Sequence, residues 1–137
     1  MQNHYIAPIL LLSVMSCHSP QPQVTLRDSQ GNYATTADFH SMQRADFVSA
    51  IEAGIADYDG QLRELRTRAN TLGGDALKEF ADCERKLQVK RKDVVNQLAI
   101  AQNSLDDMWP EERKETVEAY TKLRDAFTEA QNDVLDA

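Results

Sequence analysis

Two cysteines, three histidines and one run of basic residues are the side chains through which this chain could do chemistry. Cys17 stands at the end of an apolar run, and Cys83 lies in a highly charged stretch. His4 precedes the apolar run, His18 follows Cys17, and His40 alone falls in the remainder. A lone histidine with no serine, cysteine or carboxylate at a recognisable spacing assembles no nucleophilic triad. There is no Gly-rich phosphate loop and no Glu-x-x-His repeat of the kind that holds two iron ions in a helical bundle. The expectation is a non-enzymatic protein with no catalytic residue, no cofactor, no metal site and no small-molecule substrate.

Two features remain as candidate sites. Cys83 reads as a small apolar side chain on a helix face, or as one half of an intermolecular disulfide in an oxidising compartment. Basic neighbours would favour its thiolate if it is exposed. Arg85, Lys86, Lys90, Arg91 and Lys92 place five positive charges within eight residues. Such a patch suits anionic lipid headgroups or an acidic partner, although a helix spreads these charges around its circumference and leaves them solvated.

The elements that must position these residues are helical. Val48, Ile51, Ile55, Tyr58, Leu62, Leu65, Ala69 and Leu72 alternate spacings of three and four, an unbroken heptad seam. The phase survives Gly54 and Gly60, so the spacing predicts one helix over 36–72, capped at Thr35 or Thr36. Gly73-Gly74 stops it and Asp75 caps the next. A second seam runs Leu77, Phe80, Glu84, Leu87, Arg91, Val94, Leu98, Ala101, Leu105 and Met108, predicting a helix over 75–105. Glu84 and Arg91 are its polar exceptions, and they either fix register or snorkel outward. Asp107 as N-cap would admit Pro110 into the first turn of a third helix over 108–136. That helix turns Val117, Tyr120, Leu123, Phe127, Ala130 and Val134 inward.

Phe47, Ala81, Val95, Ala99 and Val117 widen the apolar stripes, as suits helices that each touch two others. Asp59/Arg63, Glu64/Arg68, Asp82/Lys86 and Glu118/Lys122 are spaced to pair along single helices. Short breaks make successive helices antiparallel neighbours. The fold class expected over 36–137 is therefore all-α, an antiparallel three-helix bundle with coiled-coil character. Residues 17–35, with Pro20, Pro22 and Gly31 and no periodicity, read as a flexible tether.

Charge and composition narrow the function classes. Asp and Glu number 22 against 15 Lys and Arg, a net charge of -7. Nucleic acid is excluded as a partner, because phosphate contact needs a basic surface. An apolar content of 42% is too high for a disordered acidic tail.

The apolar run Tyr5–Met15 has the length of a signal-peptide core and is too short to span a bilayer. It closes in Val14-Met15-Ser16-Cys17, which resembles a bacterial lipoprotein signal. The resemblance implies cleavage between Ser16 and Cys17, residues 1–16 as signal peptide, and diacylglyceryl and acyl groups on Cys17. A thiolate is the nucleophile that this transfer requires, and several acyl chains on one residue anchor stably. His18, rather than Asp, after the cysteine implies the outer membrane of the cell envelope by the sorting rule of enteric lipoproteins. An ordinary secretory signal with an incidental Cys17 is the plainer alternative.

A second resemblance rests on Y-D-G-Q-L-R-E-L-R-T-R-A at 58–69, D-D-M-W at 106–109 and V-E-A-Y-T-K-L-R-D-A-F at 117–127. These blocks are similar to a family of small bacterial coiled-coil stress-response proteins, in which a charged hairpin is followed by a Trp and a final helix bearing aromatics. Trp109, Tyr120 and Phe127 fit that order. What the resemblance implies is a helical, envelope- or stress-associated protein, from a family with no agreed enzymatic activity or cofactor. The functional expectation is thus a lipid-anchored structural protein that presents helical faces to a protein partner or to itself. The alternatives are apolipoprotein-like helices that open onto a membrane surface, and a holdase-type chaperone.

Overall fold

The structure is a computed structural model that describes Leu26–Arg27, Tyr33–Ala34, Phe39 and residues 42–137. Three long helices dominate it: α1 (Arg44–Leu72), α2 (Gly74–Asn103) and α3 (Trp109–Leu135). They form the antiparallel three-helix bundle that the seams require. Contacts between α2 and α3 are the most extensive, and α1 lies against both. The lipoprotein-like Ser16-Cys17 site, Thr35, Thr36 and His40 lie outside the described residues.

Helix α1 runs without interruption through Gly54 and Gly60, as the unbroken phase of its apolar positions demands. It begins at Arg44, eight residues after the expected start, with Gln43 extended at φ -68 and ψ 155. Sequence propensity does not mark this start: Gln43 makes no side-chain capping bond, and the first turn is instead held by tertiary contacts of Arg44 and Phe47.

The link from α1 to α2 is Gly73 alone. Gly73 and Gly74 have φ of 66 and 51, a region where a β-carbon is strained. The Gly73 N–H donates to the Ala69 carbonyl at 2.9 Å and closes α1, while its own carbonyl accepts from Ala76 at 3.2 Å. Asp75 is not the cap that its position suggests; it lies in the first turn of α2, where its charge favours the helix dipole.

At the second corner, Ser104 ends α2 and its hydroxyl donates to the Ala101 carbonyl at 2.8 Å. Met108, not Asp107, is the N-cap of α3. Met108 and Trp109 both donate to the Leu105 carbonyl at 3.0 Å, and this turn takes the place of a side-chain cap. Pro110 falls in the first turn, where its missing N–H costs nothing, and Glu111 and Glu112 follow it there.

The core is the predicted seam with few departures. Leu65, Leu87 and Leu123, one from each helix, are 1–2% exposed. Burial of each stabilises the fold by about 2 kcal/mol. Ala50, Ile51, Val94, Ala101 and Val134 are fully enclosed. Leu72, Leu77, Leu105 and Met108 are exposed, because each lies at a bundle end where the neighbouring helix has stopped. Ala81, Val95 and Ala99 do not widen the stripe of α2 and face solvent instead.

Within the segment that reads as a tether, β1 (Leu26–Arg27) pairs antiparallel with β2 (Tyr33–Ala34), and β1 lies against α1. Gly31 and Asn32 stand between them in the sequence, a dipeptide that reading for periodicity alone overlooks.

Candidate functional site

The two polar positions in the α2 seam explain themselves through α1. The Arg91 guanidinium donates from both Nε and a terminal nitrogen to the two carboxylate oxygens of Asp59, each at 2.8 Å. Glu84 accepts from Arg66, two helical turns further along the same interface. Antiparallel helices bring 59 opposite 91 and 66 opposite 84, so these pairs lock one register of α1 on α2. Both lie at the edge of the core, where they satisfy charge without full desolvation.

Tyr58 is next to Asp59 on α1. Its ring packs edge-on to Phe127 at 5.5 Å, and its hydroxyl is buried without a hydrogen-bond partner. Burial, with Asp59 and Glu84 nearby, pushes its ionisation up to about 12, against the opposing pull of Arg91. Burial beside Asp57 similarly raises Tyr120 to about 12.

The five basic residues of the expected patch do not share a face. Arg91 turns to Asp59 on α1, and Arg85 pairs with Asp82 one turn back on its own helix. Lys92 is exposed. Only Lys86 and Lys90 point together, into the open side of the α2–α3 contact. There they meet Glu129 and Asp133 of α3, so the local balance is not basic.

Cys83 is on the same side, 8% exposed and without a disulfide. It lines a depression of about 100 Å³ with Lys86, Leu87, Ala126 and Asp133. The thiol pKa is pushed up by burial first, then by Asp133 and Glu79, and Lys86 offsets only part of this. The condition under which basic neighbours would activate the thiolate, exposure, is not met.

A broader groove of about 340 Å³ lies between α2 and α3, lined by no residue of α1. Its rims carry Lys90 and Asp93 from α2, and Glu118 and Lys122 from α3. None of these four makes an ion pair among the described residues. Half-exposed Ile100 and partly buried Ala119 supply apolar surface.

A third feature is the Trp109 corner, where a bundle-end plug is expected from the sequence but its partners are not. Trp109 plugs the end of the bundle, edge-on to Phe47 at 5.3 Å, and Phe47 is edge-on to Phe39 at 6.0 Å. Arg44 and Arg113 lie over the indole at 5.1 and 5.8 Å. Arg44 also reaches Asp106 at 3.1 Å, and Arg113 donates to the Met42 carbonyl at 3.2 Å. The contacts of Arg44 with Asp106 and of Arg113 with Met42 span more than sixty residues of chain, and no local spacing announces them.

Among the described residues no group of His, Cys, Asp and Glu is placed to hold a metal ion, and no helix is long and apolar enough to cross a membrane. The described residues form an all-α three-helix bundle with an open groove between α2 and α3. Comparison with family models, with curated proteins and with solved structures finds no match.

Proposed function

We propose that the chain is a non-enzymatic, lipid-anchored protein of the bacterial cell envelope that acts through contacts on its helical faces. The observation that carries the reading is Cys17 at the close of an apolar run in Val14-Met15-Ser16-Cys17. Acyl groups on Cys17 hold the protein to the outer membrane, with the bundle at the periplasmic side. The role is structural or stress-associated, in keeping with the resemblance of residues 58–135 to coiled-coil stress-response proteins.

The chemistry of the surface supports the interaction half of this reading. The apolar stripes are turned inward against one another, so amphipathic binding to a lipid surface would cost the bundle its core. Charged groups of both signs on the outer groove favour a protein partner over a lipid surface.

Intact mass of the protein from a native-host membrane fraction, beside a Cys17→Ala variant, tests the anchor. A chain that starts at Cys17 with added acyl mass is the expected result. An unmodified chain, or one cut elsewhere, refutes the anchor and with it the outer-membrane placement.

A further inference from the structure

We infer that the open α2–α3 groove is a self-association surface, and that its occupant is a second copy of this chain related by a two-fold axis perpendicular to the helices. This deepens the interaction half of the proposed function and is independent of the lipid anchor.

Gln97 of α2 donates to Glu112 at 2.8 Å, and Thr116 donates to the Gln97 carbonyl at 3.5 Å, so position 97 is level with 112–116. Antiparallel packing then sets Lys90 level with Lys122, and Asp93 level with Glu118. All four line the same groove. One level carries two lysines and the other two carboxylates, about 4.5 Å apart along the helices at 1.5 Å per residue.

A two-fold axis crossing the groove midway between these levels exchanges them. It sets Lys90 of each copy opposite Asp93 of the other, and Lys122 opposite Glu118. A surface of this kind is self-complementary, which is the requirement of an isologous interface. The unpaired state of all four groups within one chain leaves them available. Other rotations of the second copy lose this match: an axis parallel to the helices sets lysine level with lysine.

The size of the face is adequate. Helix α2 has 30 residues, hence a length of about 45 Å. A face two helices wide, about 20 Å, then offers on the order of 900 Å² per copy, near the roughly 800 Å² of a standard stable interface. Ile100 and Ala119 provide apolar contact beside the charged levels. The same axis puts the two Cys83 residues about 25 Å apart, so this association is not a disulfide dimer.

The experiment measures the molar mass of the full chain carrying Cys17→Ala, in mild detergent, by light scattering after size exclusion over a concentration series. The expected result is twice the chain mass of 15.4 kDa at high concentration. Lys90→Asp with Lys122→Glu turns the pairs into repulsions and should weaken the dimer by about tenfold or more, since each exposed pair is worth up to about 1 kcal/mol. Adding Asp93→Lys and Glu118→Lys regenerates the complementarity with all signs inverted and should restore the dimer. Circular dichroism verifies that each variant remains helical.

A second measurement stands even if those variants misfold. Lys90→Cys with Asp93→Cys, in a Cys17→Ala, Cys83→Ser chain, should cross-link two chains on mild oxidation, whereas the native Cys83 should not. A monomer at every concentration, a dimer indifferent to charge reversal, a loss not restored by the inverted quartet, or cross-linking through Cys83 would each overturn the inference. None of these outcomes bears on the acyl mass at Cys17, so failure here is distinguishable from failure of the anchor.

Discussion

Tyr58→Phe should leave the bundle as stable as before or more stable, against the usual expectation for a buried residue. Tyr58 is 6% exposed, and its hydroxyl has no hydrogen-bond partner. Removing an unsatisfied buried hydroxyl recovers a desolvation cost of about 1–3 kcal/mol, while the ring and its contact with Phe127 remain. The gain at neutral pH should be about 1 kcal/mol, because the void left by one oxygen offsets part of it. The pH dependence gives a second reading. The folded ionisation of Tyr58 lies at about 12, above the ordinary value of 10.0. A group whose folded pKa is raised contributes fully below the unfolded value, and that stability is lost as pH climbs through the folded one. The wild type should therefore lose stability between pH 10 and 12, with Tyr120 contributing in the same window. Tyr58→Phe should remove roughly 2–3 kcal/mol of that loss, since a tenfold difference in proton affinity between the folded and unfolded chain is worth about 1.4 kcal/mol. Urea unfolding followed by circular dichroism at pH 7 and at about pH 11.5 measures both effects. A loss of more than about 1 kcal/mol at pH 7 in Tyr58→Phe would refute the reasoning, since it would mean that the hydroxyl is satisfied.

A double-mutant cycle on Asp59→Asn and Arg91→Met should return a coupling of about 1 kcal/mol, modest because both side chains are about a third exposed and screened by solvent; a coupling near zero in urea unfolding would show that the pair sets register without contributing stability. In the Cys17→Ala protein, Cys83 should react with a thiol reagent at pH 8 far more slowly than a free cysteine, and should reach the free rate on unfolding, because burial and Asp133 hold it protonated. Equal rates before and after unfolding would contradict its enclosure.

Much of the bundle is legible because apolar residues recur at spacings that leave one solution. The six positions expected inward on α3, from Val117 to Val134, are all buried. Breaks are equally plain, since Gly73-Gly74 and the Pro110 corner have local causes. Ends are less so. The start of α1 is decided by Arg44 and Phe47 meeting a corner some sixty residues later. Charge pairing escapes the sequence for a related reason. None of the four expected i,i+4 pairs forms among the described residues; Asp59 instead pairs across the interface with Arg91, and Asp82 with Arg85. A sequence shows which partners are near along the helix, while the interface offers partners that are closer and less hydrated. The groove is invisible there on the same grounds, because Lys90 and Glu118 become neighbours only through packing.

The single-residue link at Gly73 bears on how the chain finds this structure. A helical hairpin closed by so short a connection forgoes little loop entropy, and α3 follows α2 after only five residues. Nearly all helix pairing is thus local in sequence, the condition under which small domains fold in microseconds to milliseconds. The contacts of Phe47 with Trp109 and of Tyr58 with Phe127 are exceptions, since they join the first helix to the third. The one tryptophan in the chain stands at one of these contacts, so its fluorescence reads their closure.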